Sequence, residues 1–263
     1  VKAHSAFWGG IFGVVLLIVS CSSPPKTQEH AILPAVNIER LELPAVVDGQ
    51  EIYQRSGFSF SYDANSHLAS WVAYTLTPQL VKEKVVERAT AFHPDAAVEA
   101  SPKPADYKKS GYDKGHLAPA ADFRWSPDAM KDCFLMTNMA PQLPAFNRRI
   151  WKNLETRVRE WAQTQPHSYI VTGPVLTEPC ESHLKGICVP KKFFKVMLQT
   201  DGQRYRAIGF VIPQRYKDAE LVPYAQSIDA VEKIAGLDFF PALPDNVENQ
   251  IEAEAPREAI WWN

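Results

Sequence analysis

Between Asn147 and Gln163 the chain repeats its apolar residues with a strict helical period. Counted from Asn147 at about 100° per residue, Ile150, Leu154, Val158 and Trp161 fall near 300°, 340°, 20° and 320°. A single apolar arc of this kind has to be buried against a core. Glu155 and Arg159 fall at about 80° and 120° on one flank, the spacing of an ordinary helix ion pair. Asn147 lies inside the arc, and an inward-facing amide needs a partner. It is either a helix cap or an oxygen ligand for a metal ion. Two strand-like segments precede the helix: Tyr112 to His116, ended by Pro119, and Phe134 to Thr137. Asn138 to Pro144, with its Asn and two Pro, reads as a loop. Ser126-Pro127 marks a short helix between the two strands.

The flanking chain is mainly strand. Phe58 to Tyr62 alternates, Trp71 to Leu76 is β-prone, and Asp63-Ala64-Asn65-Ser66 between them suits a hairpin turn. Ala91 to Lys109, rich in Pro and Ala, reads as a surface loop. Ser168 to Leu176 is a strand that breaks at Gly173-Pro174. Phe193 to Thr200 and Arg204 to Ile212 are two more, joined at Asp201-Gly202. Tyr224 to Ala235 has helical spacing with Gly236 placed to end it. Trp261 and Trp262 are packing residues or a docking edge. The pattern predicts an α+β domain.

Net charge is −2, which argues against a general nucleic-acid coat protein. Lys103 to Arg159 nevertheless holds eleven Lys/Arg against six Asp/Glu. That local excess is either a solvated face or a surface for a polyanion. His116, after the permissive Gly115 and near a strand end, can reach a cleft. No Cys or His spacing is of the zinc type.

Several ordered motifs together carry a family resemblance. The chain reads Asp113-Lys114-Gly115-His116, then Thr137-Asn138-Met139-Ala140-Pro141-Gln142, then Asn147, then Glu155. Phe58 to Tyr62 with Trp71 to Tyr74 precedes them, and Gly236-Leu237-Asp238-Phe239-Phe240-Pro241 follows. Over roughly Glu51 to Pro244 this resembles the DNA/RNA non-specific endonucleases. The resemblance implies the ββα-metal (His-Me finger) endonuclease fold, with a central antiparallel sheet flanked by helices. It implies a low-specificity, Mg²⁺-dependent endonuclease (Mn²⁺ possible as substitute) acting on DNA and RNA and leaving a 5′-phosphate. By the same resemblance His116 is the general base on water and Asn147 a direct metal ligand. Glu155 acts on the metal through water, Asn138 helps fix the site, and Arg159 touches the phosphate. Lys114 stands where the family signature has Arg, so charge is kept but the bidentate fork is lost. The basic residue that many members carry before Trp71 is absent, and His67 is the nearest substitute. Two rival readings use the same residues: a phosphodiesterase for small nucleotides, and a non-catalytic polyanion-binding lipoprotein.

The N-terminus predicts the compartment. Ala6 to Ser20 is a fifteen-residue uncharged run, shorter than the roughly 20 residues that span a membrane. With Ile18-Val19-Ser20 before Cys21 it resembles a bacterial lipobox. The expected organisation is therefore a signal peptide (1–20), a flexible tether (21–37) and an endonuclease domain (38–263). Cys21 would carry lipid and hold the protein at the bacterial cell envelope, on a periplasmic or outer-membrane face. If the chain is exported, Cys180 and Cys188 can pair as a disulfide across Gly186. Cys133, in an apolar run, is a core residue.

Overall fold

The computed structural model describes Val1 and residues 40–47, 49–256 and 258–262. Cys21, the tether and nearly all of the expected signal segment lie outside those residues. Among the described residues no helix is long and apolar enough to cross a membrane.

Among the described residues eleven strands follow one another. They are β1 (Ile52–Gln54), β2 (Ser59–Asp63), β3 (Leu68–Leu76), β4 (Asp113–His116), β5 (Met139–Gln142) and β6 (His167–Pro174). After these come β7 (Ser182–Leu184), β8 (Ile187–Val189), β9 (Lys192–Thr200), β10 (Tyr205–Pro213) and β11 (Ala225–Gln226). The helices are α1 (Pro78–Lys82), α2 (Pro127–Asp132), α3 (Lys152–Ala162), α4 (Ile228–Ala235), α5 (Asp245–Ala253) and α6 (Glu258–Trp261). A seven-stranded antiparallel sheet runs β1-β2-β3-β6-β9-β10-β11, and β4-β5 and β7-β8 form separate two-stranded ribbons. The fold is thus α+β with an antiparallel central sheet.

The hairpins form where their turn residues predict. Asp63 accepts from the backbone N–H groups of Asn65 and Ser66, both at 3.1 Å, closing β2 onto β3. Asp201 does the same for Gln203 and Arg204 between β9 and β10.

The sheet is covered on both faces, and strand alternation sorts its residues between two cores. Along β9, Phe193 and Met197 enter one core while Phe194, Val196 and Leu198 enter the other. Along β3, Val72, Tyr74 and Leu76 face the first, and Trp71 and Ala73 the second. The first core takes the apolar arc of α3 through Leu154, Val158 and Trp161, along with Phe134 and Phe146. The second lies under α4 and α5, with Ile228, Val231, Val247 and Ile251. Phe239 and Phe240 of the Gly236 to Pro241 motif fill this second core.

Three expected boundaries move. Phe134 to Thr137 is not a strand: only Leu135 bridges, to His93, and Met136–Asn138 is one 3-10 turn. The strand that pairs with β4 is Met139–Gln142, inside the expected loop. Pro141 is tolerated there because a two-stranded ribbon is all edge, and its carbonyl accepts from Gln214 Nε2 at 3.0 Å. The helix expected from Tyr224 starts only at Ile228, because Ser227 caps it and Ala225–Gln226 join the sheet edge. Gly236, at φ 69°, ends that helix as expected. Trp261 and Trp262 pack edge-on against Trp161, at 5.0 and 5.6 Å between ring centres. Cys180 and Cys188 are joined, tying the chain ahead of β7 to β8. Cys133 is buried, its thiol donating to the Met130 carbonyl.

Candidate active site

Strand β4, the turn that follows it at Pro119 to Ala121, and the helical segment running into α3 line an open cleft of about 470 Å³. Arg88, Lys114, Arg148, Lys152 and Arg159 line it against a single carboxylate, Glu155. His116 and Asn147 also face it. Four of the eleven basic residues between Lys103 and Arg159 thus meet at the cleft, joined there by Arg88.

His116 ends β4 with its ring held between two aromatic walls. Phe134 meets it edge-on at 4.9 Å between centres and Phe92 lies at 5.7 Å. The residue is 8% exposed, and its Nε2 is buried with no hydrogen-bond partner. Burial, with the Arg88 charge adding to it, lowers the imidazole pKa to about 3. The ring is therefore neutral at physiological pH, with a lone pair to offer. Gly115 is required just before it: a methyl there would overlap the Gln142 side chain from β5.

Asn147 does not lie in the apolar arc. Phe146–Trp151 is π-helical, and the Lys152 N–H reaches back to the Asn147 carbonyl. Bonding to i+5 spreads a turn over about 4.4 residues, or roughly 80° per residue. Four such steps followed by four α steps bring Asn147 and Glu155 to within about 10° of one line, instead of about 80° apart. The widened turn thus moves Asn147 from the core face onto the cleft. Its Nδ2 donates to Asp113 Oδ2 at 2.9 Å, which leaves the amide oxygen as the free end. Asp113 in turn is gripped by Arg148 through two hydrogen bonds of 2.9 and 2.7 Å. Burial resists ionisation of Asp113, but the Arg148 and Asn147 hydrogen bonds outweigh it and hold its carboxyl below the usual range.

Glu155 accepts no hydrogen bond from another described residue. Arg159, one turn on, pairs instead with the fully buried Asp122 at 2.9 Å, so the ion pair that their spacing would allow between Glu155 and Arg159 does not form. Tyr74 also donates to Asp122. Beneath them lies Lys195, 1% exposed on the cleft-side face of β9. Its ammonium sits over the Trp151 ring at 5.2 Å and donates to the Leu117 carbonyl at 3.4 Å. Burial pushes Glu155 up and Lys195 down, and each one's charge draws the other partly back.

Lys114 holds its ammonium over the Phe92 ring at 4.8 Å, at the cleft. Asn138 is fully buried and does not line the cleft. Its amide accepts from Ala118 N–H and donates to the Ala118 and Cys133 carbonyls, so it fixes the chain just after His116. His67 is also away from the cleft, its Nδ1 bonded to the Ala100 carbonyl.

Arg88, Asp122 and Lys195 escape sequence inspection because only tertiary packing gathers them. The Ala91 to Lys109 segment is more than a connection. Asp95 accepts from Arg55 and Thr137, and His93 bonds across to Phe134 and Met136, which sets Phe92 against His116.

The profile of the family described as DNA/RNA non-specific endonuclease matches residues 41–246. Mitochondrial endonuclease G of Bos taurus is 33% identical over 218 residues, covering 76% of this chain and 72% of that protein. A nuclease of Nostoc sp. is 32% identical over 276 residues, covering 93% and 96%. A crystal structure of the EndoG/EndoGI complex aligns with a TM-score of 0.70 at 28% identity, over 78% of this chain and 90% of that one. These matches define a phosphodiester hydrolase. The chain belongs to the DNA/RNA non-specific endonuclease family, whose members are typically metal-dependent.

Proposed function

We propose that the protein is a one-metal, Mg²⁺-dependent endonuclease of low sequence specificity, cutting DNA and RNA by water activated at His116. The observation that carries this reading is a coincidence in one basic cleft. A neutral imidazole lines the same cleft as two oxygen groups, on Asn147 and Glu155, that accept no side-chain hydrogen bond among the described residues. An amide oxygen and a carboxylate are the hard ligands that Mg²⁺ and Mn²⁺ prefer, and no thiolate lines the cleft. Asn147 would hold the ion directly and Glu155 through water. The bound ion supplies charge stabilisation to the phosphate and to the leaving oxygen.

The rest is done by the chain. His116 takes a proton from the attacking water as its oxygen bonds to phosphorus. The bond from phosphorus to the 3′ oxygen breaks, leaving a 5′-phosphate; the 3′ oxygen takes a proton from solvent water to become the 3′-hydroxyl, and His116 returns its proton to solvent. Lys114, Arg88 and Arg159 hold the phosphate oxygens as their negative charge builds. The Phe92 and Phe134 walls exclude bulk water around the base. An incoming phosphate also raises the basicity of His116, because a nearby anion favours the imidazolium.

A substrate panel tests this. Supercoiled plasmid, single-stranded RNA, a dinucleotide and bis-p-nitrophenyl phosphate are incubated with Mg²⁺ and with EDTA. Plasmid and RNA should be cut in Mg²⁺ only, with 5′-phosphate ends. Turnover confined to the small esters would replace the endonuclease reading, and retention of plasmid without cleavage would leave only a polyanion binder.

We further propose that the chain is exported and anchored through lipid on Cys21. The apolar run before Cys21 supports this, and the Cys180–Cys188 pairing suits an oxidising compartment. Mass spectrometry of the membrane fraction should find acylated Cys21 as the first residue, and an unmodified Cys21 there would contradict it.

A further inference from the structure

On the face of the sheet away from the cleft, Asp229 and Glu232 project from α4 and Glu252 from α5. One carboxylate oxygen from each lies within 4.8 Å of the others. That is the span of two ligands on opposite sides of an ion with bonds of about 2.3–2.6 Å. Glu252 is 6% exposed, and its Oε1 is buried with no hydrogen-bond donor. Glu248, one turn earlier on α5, likewise leaves Oε1 buried without a donor. Glu232 accepts the Phe239 N–H at 2.7 Å.

Among the described residues no Lys or Arg forms an ion pair with any of these carboxylates. Burial pushes Glu252 up to about 9, and the charges that add to the effect, Glu232, Glu248, Asp238 and Asp229, are all negative. A buried carboxylate among other carboxylates is unfavourable unless a proton or a cation joins it. Hydrogen bonding within the group does not supply that partner, since the buried Oε1 atoms receive none. Asp229 is exposed, so an ion can enter from solvent and complete its shell with water.

We propose that Asp229, Glu232 and Glu252 form a second cation site, for a hard divalent ion of the calcium class, that clamps α4 to α5 over the second core. The site is structural and separate from the catalytic cleft. Binding strengthens the cover of the sheet without touching the reacting groups.

Thermal unfolding with and without Ca²⁺ tests the site, using an Asn147→Ala background to silence the cleft. In wild type and in Asn147→Ala, saturation to about ten times Kd should raise Tm by about 3–5 °C. Glu252→Gln, and separately Asp229→Asn with Glu232→Gln, should remove that rise while the proteins stay folded by circular dichroism. Isothermal titration with Ca²⁺ alone should show one site lost in the same variants. The proposal is overturned if the Ca²⁺ rise persists in Glu252→Gln. It is equally overturned if wild type shows no rise from pH 6 to 9 while Glu252→Gln is more stable at every Ca²⁺ concentration, the behaviour of a merely protonated acid.

Discussion

Lys195 carries its charge at 1% exposure beneath the catalytic helix, among Glu155, Asp122 and Arg159. An isolated buried ammonium would be strongly unfavourable. Here it donates to a carbonyl, lies over the faces of Trp151 and Tyr74, and feels the charges of Glu155 and Asp122. Removing one member of such a group leaves the others unpaired. Lys195→Met should therefore lower stability by about 3 kcal/mol in urea unfolding, despite its good fit of volume. An unchanged midpoint would mean that Lys195 does not balance the buried acids. The contrast with His116, Asn147 and Glu155 is instructive. Those three announce themselves by order along the chain. Lys195 lies in an apolar strand where its face becomes evident only once both sheet faces are known to be covered, and Arg88 sits in a mixed segment with no period.

At the level of elements, the strand β5 and the π-helical turn decide the site, and neither is legible locally. Pro141 speaks against a strand unless the strand is known to be an edge. The π turn has no sequence signature, yet it alone moves Asn147 off the core face. The helix period itself was readable, because the apolar arc of α3 packs as its spacing requires. The β7-β8 ribbon shows a simpler element-level device, since a disulfide closes eight positions of chain there. Loop-closure entropy for so short a loop predicts that Cys180→Ser with Cys188→Ser loses about 2–3 kcal/mol. Denaturant titration of oxidised and variant protein checks this, and equal midpoints would contradict it.

For the whole molecule, alternation along β3, β6, β9 and β10 sorts side chains into two cores, and the α+β class followed from the same strands. Which core held the site was not readable, because that depends on where α3 returns to the sheet. Global stability should also report on the buried base. His116 has its folded pKa depressed from 6.5 to about 3, so the unfolded chain binds the proton more readily. That stability is complete above pH 6.5 and is lost as pH falls through the window towards 3, at about 1.4 kcal/mol per pH unit. Between pH 7 and pH 5, wild type should lose about 2 kcal/mol more than His116→Asn in urea unfolding. Equal losses would remove the buried-neutral assignment. The most direct test of the catalytic account is single-turnover cleavage of a defined duplex by wild type and His116→Ala at saturating Mg²⁺, with Mg²⁺ affinity measured for both. The account predicts a rate lower by about 10²–10⁴ in the variant at unchanged metal affinity. A folded His116→Ala protein that cuts at the wild-type rate would contradict it.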